Sequence, residues 1–342
     1  MRYVKRGSTE LTVSECGFGC IPIIRLPKDD AVKVLRHAFE RGITYFDTAN
    51  AYRDSEEKIG MAFAGMREKV VLASKTLMRG AEGTMAHLDN SLRMLRTDYL
   101  DLYQLHQIAQ ENDWLEVTGP TGALEAVMRA KAAGKVRYVG VTSHSLQMAL
   151  KMVRSGLFDT IMFPFNLIEE GAKDELIGAC REKGMGFIGM KPFGGGVLDN
   201  AAIAFKYLRY YYDVLPLPGF ESCEQVDDII SFYSKANVID DQDLMQMEKY
   251  RSELGKRFCR RCEYCQPCPQ GVMITPAMGY PIVAARMSPS VSVEFCKNAM
   301  ESVLLCTGCG TCLTRCPYEL PIPDILKANY ALYEKHLKEK RS

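Results

Sequence analysis

Residues 29–47 read DDAVKVLRHAFERGITYFD, and this stretch is the best guide to the fold. Its first part, residues 29–41, starts with acidic residues and carries apolar residues at helical spacing, which predicts a helix that ends at Gly42. Residues 42–47 form a short apolar run of the kind that becomes a buried strand. A helix followed directly by a buried strand is the repeating unit of an α/β protein.

The same unit recurs through the first 235 residues. Eight strand candidates follow one another at intervals of roughly 25–35 residues, as a parallel sheet with crossover helices requires. They are residues 15–20, 42–47, 70–75, 99–106, 136–142, 160–165, 185–190 and 214–218. Eight such units predict a (β/α)8 TIM barrel. A doubly wound sheet is the alternative, and it is disfavoured because no GxGxxG follows the first strand.

The composition of the chain changes after the barrel pattern stops. Residues 236–255 are polar with a helical pattern and predict a connector, and residues 256–342 are rich in cysteine and proline. We therefore expect three segments: a barrel over 1–235, the connector, and a small α-rich ferredoxin-like domain over 256–342 with a C-terminal helix. A chain of 342 residues with 47% hydrophobic content is large enough for such a pair of domains.

Two tight cysteine runs in the last segment point to iron–sulfur clusters. They hold eight of the 13 cysteines: Cys259, Cys262, Cys265 and Cys268 in the first run, and Cys306, Cys309, Cys312 and Cys316 in the second. Each run ends in Cys-Pro, and the second has the spacing of bacterial ferredoxins. Zinc is the alternative, but four cysteines in one run, repeated, exceed what one zinc ion needs.

The ferredoxin spacing also predicts which cysteines share a cluster, because in two-cluster ferredoxins the fourth cysteine of a run ligates the other cluster. One [4Fe-4S] cluster would then use the first three cysteines of the first run with Cys316, and the other the first three of the second run with Cys268. The first run has two residues, not three, before its last cysteine. Cys296 is therefore an alternative to Cys268.

Polar residues stand at or just past the ends of three predicted barrel strands. Asp47, Lys75 and His106 end their strands, and Tyr52 lies in the loop after Asp47. The C-terminal strand ends of a parallel barrel form its active-site face, so we expect these side chains to converge. Each of them alone is more often a rim or packing residue, but the four together form a specific set.

This set has the chemistry of a carbonyl reductase. A tyrosine hydroxyl can donate a proton to the oxygen of a carbonyl that receives hydride, and a neighbouring ammonium lowers the pKa of that hydroxyl. Tyr52 and Lys75 would fill these roles. Asp47 would hold the ammonium in place, and His106 would orient the carbonyl oxygen by a hydrogen bond.

The first 235 residues resemble the aldo-keto reductase family. The likeness rests on FDTANAY at 46–52, VLASKT at 71–76, LDLYQLH at 100–106, RYVGVTSH at 137–144 and MKPFGGGVL at 190–198. The resemblance implies a (β/α)8 barrel, an NAD(P)H cofactor and a catalytic tetrad on Asp47, Tyr52, Lys75 and His106. The C-terminal extension is similar to that of a branch of the family with a ferredoxin-like [4Fe-4S] domain.

The same resemblance implies where the cofactor binds. Thr142 and Ser143 stand where the family contacts the nicotinamide amide, whereas Met162 and Met190 replace the usual glutamine and aromatic residue. The segment near the pyrophosphate corresponds to Lys191, Phe193 and Gly194, and the segment near the adenosine ribose to Gly219, Glu221 and Gln225. Relatives often have a basic residue in place of Glu221, so we expect NADH to be preferred, or at least well tolerated.

The leading hypothesis is an oxidoreductase that moves hydride between NAD(P)H and a carbonyl or alcohol, with clusters that are structural or exchange electrons with a partner protein. The alternatives are an electron-transfer or regulatory protein that uses the barrel to bind nucleotide, and a reductase driven directly by the clusters. A net charge of +1, with no apolar run that could cross a bilayer and no signal-peptide pattern, predicts a cytoplasmic protein without nucleic-acid or membrane partners.

Overall fold

The computed structural model describes residues 1–255, 257–261, 264–285, 287–316 and 318–341. The chain divides into two compact units, Met1–Asp243 and Leu244–Ser342. The division falls inside the predicted connector, within a helix that spans Asp241–Gly255.

The first unit is built on eight parallel strands whose order in the sheet follows their order in the chain. An antiparallel hairpin, β1 (Tyr3–Lys5) and β2 (Thr12–Ser14), precedes them. The parallel strands are β3 (Phe18–Gly19), β4 (Tyr45–Asp47), β5 (Val71–Thr76), β6 (Leu100–Leu105), β7 (Val136–Thr142), β8 (Thr160–Pro164), β9 (Gly186–Met190) and β10 (Val214–Leu217). Each of the eight strands predicted from the sequence is confirmed.

Hydrogen bonds between the first and last strands close this sheet into a barrel. The amide of Gly17 donates to the carbonyl of Pro216 at 3.0 Å, and that of Gly19 to Pro218 at 2.8 Å. A doubly wound sheet reverses its strand order at a switch point and stays open. The (β/α)8 barrel is therefore confirmed.

Helices connect the strands on the outside of the barrel. They are α1 (Lys28–Glu40), α2 (Ser55–Ala62), α3 (Ala81–Leu95), α4 (Glu111–Thr118), α5 (Ala123–Ala132), α6 (Leu146–Ser155), α7 (Leu176–Glu182), α8 (Ala201–Leu208) and α9 (Cys223–Tyr233). Helix α1 buries Ala31, Val34, Leu35 and Ala38, which have the i, i+3, i+4, i+7 spacing that predicted it.

The N-terminal hairpin, which sequence reasoning missed, contributes to the core of the barrel. Leu11 and Val13 pack in one buried cluster with Tyr45, Leu102 and Leu215 of the barrel strands. Tyr45 begins β4, so this contact lies toward the N-terminal ends of the strands. The C-terminal ends of the strands, where the active site of such a barrel forms, are covered by the loops that follow the strands.

The second unit is rich in helix, as predicted. It contains most of α10 (Asp241–Gly255), the helix in which the division falls. Its other helices are α11 (Ile274–Met278), α12 (Tyr280–Ala284), α13 (Pro289–Ser302), α14 (Thr311–Arg315) and α15 (Ile322–Arg341). It has a hydrophobic core of its own, which includes Tyr280, Val293, Met300 and Leu326. Among the described residues, no helix is both long and apolar enough to cross a membrane.

Candidate functional site

The structure brings the four predicted catalytic residues together at the C-terminal end of the barrel. Lys75 on β5 forms an ion pair with Asp47, the last residue of β4, and donates a second hydrogen bond to the carbonyl of Thr48 at 2.6 Å. The Lys75 Nζ lies 5.1 Å from the centroid of the Tyr52 ring. The rings of Tyr52 and His106 are 6.0 Å apart between centroids and nearly perpendicular.

Burial divides the four residues into two pairs. The ion pair is fully enclosed, with Asp47 4% and Lys75 1% exposed, whereas Tyr52 and His106 are half-buried. Tyr52 and His106 are therefore the members of the set that a molecule entering the barrel from outside can contact.

The pKa shifts of Lys75 and Tyr52 follow from this arrangement. Burial lowers the pKa of Lys75, but the charge and hydrogen bond of Asp47, together with contributions from Tyr52 and Cys20, outweigh burial and raise it, so Lys75 is an ammonium ion. Burial raises the pKa of Tyr52, and the Lys75 charge reduces this rise without cancelling it. Lys75 thus lowers the pKa of Tyr52 as the sequence-based argument expected, but that argument left out desolvation, which makes the net shift upward. A protonated phenol is the form that donates a proton.

His106 is held as a neutral imidazole. Burial, with smaller contributions from the positive charges of Lys75 and Arg79, lowers the pKa of His106 to about 3. Arg79 also fixes the loop after β6, because its guanidinium donates to the carbonyls of His106 and Gln107, at 2.8 Å each. A neutral imidazole donates from one nitrogen only, so it can orient a carbonyl oxygen without acting as a strong acid.

Gln104 also contacts this site, and sequence reasoning missed it. Its side-chain Nε2 donates a 2.8 Å hydrogen bond to Oδ2 of Asp47, the oxygen that does not pair with Lys75. The signal in the sequence was a polar residue inside the apolar strand LDLYQL, two positions before His106. Residues two apart in a strand point to the same face.

The predicted nicotinamide contacts, Thr142 and Ser143, engage the protein itself. The Thr142 hydroxyl accepts from the amide of Gln107 at 2.8 Å, and the Ser143 hydroxyl donates to the carbonyl of Ile108 at 2.7 Å. A hydroxyl has one donor, so Ser143 keeps only acceptor capacity for a ligand in this arrangement. These bonds join the end of β7 to the loop that carries His106.

The predicted pyrophosphate segment forms a left-handed turn after β9. Lys191 and Gly194 have φ values of 60° and 56°, and the next two glycines follow at 77° and 97°. Glycines adopt this conformation without steric cost and leave the backbone accessible. Asn166 anchors the turn by donating to the carbonyl of Lys191 at 2.9 Å, and Phe193 packs with its ring centroid 5.7 Å from that of Phe205.

The predicted ribose segment lies at the barrel seam, where the first and last strands meet. Gly219 packs so closely on Pro22 that a Cβ there would lie 2.4 Å from the proline ring. The amide of Glu221 donates to Oε1 of Gln225 at 2.8 Å. The carboxylate of Glu221 forms an ion pair with Arg25, a residue that sequence reasoning missed. The acidic charge on which we based the cofactor preference is thus compensated by a base 196 residues away.

Cysteines from both runs line one space in the second unit. The predicted ligands of one cluster, Cys268, Cys306, Cys309 and Cys312, line this space together with Cys265. Cys306 and Cys309 are exposed, whereas the alternative ligand Cys296 is buried in the helical core and is not among the described residues that line this space. The residues therefore fit a group that needs thiolates from both runs.

The predicted ligands of the other cluster are described only in part. Cys259 and Cys316 are partly buried and pack against the helical core to which Cys265 belongs, and Cys262 lies outside the described residues. Across the described part of the chain, no three Cys, His, Asp or Glu side chains converge on a point where one metal ion would be held. A cubane makes a different demand, since each of its four irons takes one thiolate and the four thiolates surround a common space.

Two family models match the chain. Residues 17–203 match the aldo/keto reductase family, and residues 258–321 match the 4Fe-4S dicluster domain. Among curated proteins, the chain is similar to the uncharacterized oxidoreductases YqkF and YrpG of Bacillus subtilis. It is 31% identical to YqkF over 63% of this chain and 75% of that protein, and 30% identical to YrpG over 59% of this chain and 70% of that protein.

Solved structures of aldo-keto reductases share the barrel. The holo form of the Bacillus halodurans enzyme AKR11C1 is 23% identical and aligns over 73% of this chain and 96% of that one, with a TM-score of 0.65. An aldo/keto reductase of Klebsiella pneumoniae, solved in complex with NADP and acetate, is 25% identical over 73% of this chain and 95% of that one, with a TM-score of 0.60.

Proposed function

Since the chain belongs to the aldo/keto reductase family, we propose that this oxidoreductase uses NAD(P)H and transfers hydride to or from a carbonyl or alcohol substrate. The observation that carries the proposal is the convergence of Tyr52 and His106 above the buried Lys75–Asp47 ion pair. The substrate is a small molecule that enters the C-terminal end of the barrel.

Each residue of the tetrad has a defined task in carbonyl reduction. Bound NAD(P)H supplies the hydride to the carbonyl carbon. Tyr52 gives the carbonyl oxygen a proton, for which its raised pKa keeps the phenol ready. The ammonium of Lys75, held by Asp47, stabilises the phenolate that remains. Neutral His106 donates a hydrogen bond that places the carbonyl oxygen within reach of Tyr52. Alcohol oxidation reverses these steps.

The loops at the same end of the barrel support a dinucleotide site. The three glycines 194–196 of the left-handed turn present backbone without side chains, as close approach to a pyrophosphate requires. Gly219, Glu221 and Gln225 lie beyond it at the barrel seam. The Klebsiella pneumoniae relative, which was solved in complex with NADP, supports a dinucleotide cofactor for this chain.

We further propose that the second unit holds two [4Fe-4S] clusters with the crossed ligation described above. The space lined by Cys268 and three cysteines of the second run supports one of them. Two of its ligands, Cys306 and Cys309, are exposed, which favours electron exchange with a partner protein over a purely structural role.

The test begins with anaerobic purification of the full chain and analysis of iron and sulfide. NADH and NADPH oxidation is then measured across a panel of aldehydes and ketones for the wild type and Tyr52→Phe. We expect loss of the general acid to reduce kcat by about a hundredfold or more, with the Kd for nucleotide unchanged. Tyr45→Phe is the matched control, because its hydroxyl is buried and has no hydrogen-bond partner among the described residues. Equal rates for Tyr52→Phe and wild type would refute the mechanism.

A further inference from the structure

The carboxylate of Asp47 is held at both of its oxygens. Oδ1 pairs with Lys75, and Oδ2 accepts the 2.8 Å hydrogen bond from Nε2 of Gln104. Gln104 is fully buried on β6, so it cannot touch a substrate or a cofactor. We propose that Gln104 is a positioning residue that keeps Asp47 ionised and turned toward Lys75. This inference rests on the proposed function, in which Lys75 acts on Tyr52.

The amide of Gln104 presents the group that an ionised carboxylate needs. An ionised carboxylate only accepts hydrogen bonds, so the NH2 of the amide, and not its oxygen, must face it. The Oε1 of Gln104 has no hydrogen-bond partner in the described part of the chain, which leaves Asp47 as the polar contact of the amide. Burial raises the pKa of Asp47, and Lys75 and Gln104 both oppose that rise.

The barrel makes room for this amide. Gln104 stands between Lys75 of β5 and Gly140 of β7 in the register of the sheet, and Gly140 in turn pairs with Thr160 of β8. A Cβ on Gly140 would lie 2.8 Å from Cγ of Gln104 and 2.6 Å from the hydroxyl oxygen of Thr160. A larger residue at 140 would therefore displace Gln104, which gives the glycine of RYVGVT a structural reason.

The charged group that faces Asp47 is Lys75. The other titratable groups near the carboxylate are Tyr52 in the loop after β4, Cys20 just past β3 and Tyr45 on β4 itself. Burial raises the pKa of all three, so they stay neutral near neutral pH. The proton balance of the pair therefore depends on Lys75 and on the hydrogen bond from Gln104.

Removal of the hydrogen bond from Gln104 should raise the pKa of Asp47 and lower kcat. A carboxylate that loses a donor becomes more basic and draws the proton of the ion pair away from Lys75. Less positive charge then remains beside Tyr52, so the phenolate formed in reduction is less stable. Hydrogen bonds to charged groups are strong enough for about a tenfold fall in kcat, and their loss raises the pKa of Asp47 further. Nucleotide affinity should not change.

The experiment compares Gln104→Met with Thr160→Val in the holoenzyme. Methionine fills a similar volume without a donor, and Thr160 is a buried polar neighbour whose hydroxyl has no hydrogen-bond partner among the described residues. Protonation of Asp47 is followed by its carboxyl infrared band, assigned by its loss in Asp47→Asn. We expect the protonated band of Gln104→Met to persist to higher pH than in the wild type, with kcat reduced about tenfold, and Thr160→Val to behave as wild type.

Gln104→Glu adds a test that keeps the shape of the side chain. Its protonated form can donate to Asp47 and its ionised form repels it, so we expect activity near that of the wild type at acid pH and a steep loss as the pH rises. A purely structural role predicts no such pH dependence. Equal infrared titrations for Gln104→Met and Thr160→Val would overturn the proposal. If Tyr52→Phe is as active as the wild type, the proposed function fails, and the infrared titration still decides the role of Gln104.

Discussion

Replacing Asp47 with asparagine should expose the cost of burying Lys75. The ammonium is 1% exposed, and it would keep the hydrogen bond to the carbonyl of Thr48 at 2.6 Å and its position 5.1 Å from the centroid of the Tyr52 ring. Breaking a buried ion pair by removing one partner typically costs about 3–5 kcal/mol, because the other charge stays buried without compensation. Because the contact with the carbonyl is retained, we expect Asp47→Asn to lower the free energy of unfolding by about 3 kcal/mol at neutral pH, near the lower end of this range.

The difference in the free energy of unfolding between the wild type and Asp47→Asn should become smaller as the pH rises. In the wild type the folded-state pKa of Lys75 lies above its unfolded value, so its contribution to stability is complete below the unfolded pKa and disappears as the pH passes through the folded pKa. In Asp47→Asn the attraction is gone and burial lowers the folded pKa below the unfolded one. The variant therefore gains stability between these two values, as the proton that opposes burial is lost, and the difference from wild type narrows toward alkaline pH.

Urea unfolding followed by tryptophan fluorescence at several pH values measures this effect. Trp114, the single tryptophan, lies on α4 of the first unit, so its signal reports on the barrel. Asp101→Asn is the matched control, because Asp101 is buried and pairs with Arg67 at 2.7 Å, and a guanidinium does not deprotonate in this range. Its loss of stability should not narrow at alkaline pH. A constant difference between wild type and Asp47→Asn up to pH about 10 would refute the reasoning.

Three further predictions concern the cofactor, the clusters and the histidine. Glu221→Arg should raise kcat/KM for NADPH relative to that for NADH by about tenfold. Arg25→Gln removes the partner of the Glu221 carboxylate and should change this preference in favour of NADH. If neither variant changes the preference, this ion pair has no part in cofactor recognition. Anaerobic protein should carry about eight irons per chain, with about half lost in Cys309→Ala and none in Cys296→Ala; zinc in place of iron would exclude the clusters. Because the pKa of His106 is lowered to about 3, titration of this residue should not change the rate of reduction near the usual histidine pKa of about 6.5. A pH dependence of the rate near that value that is present in the wild type and absent in His106→Gln would contradict the neutral imidazole.

The positions of the eight strands, and of the polar residues that end them, could be predicted from the amino-acid sequence. These features are local. A short apolar run predicts a buried strand. The C-terminal ends of three such runs are marked by the polar residues Asp47, Lys75 and His106. In a parallel barrel those ends must share one face, so convergence followed from the fold class alone. The cysteine spacing was likewise readable, because ferredoxin spacing is a short-range pattern.

The partners of these residues and the depth of their burial follow from three-dimensional packing, and the sequence did not predict them. Glu221 pairs with Arg25 because the barrel closes between its first and last strands, which joins residues that the sequence keeps far apart. Gln104 reaches Asp47 because the register of β6 points its side chain inward and Gly140 leaves space for it. The pKa of Tyr52 is raised because desolvation depends on every atom packed around the phenol, a quantity that no local pattern contains.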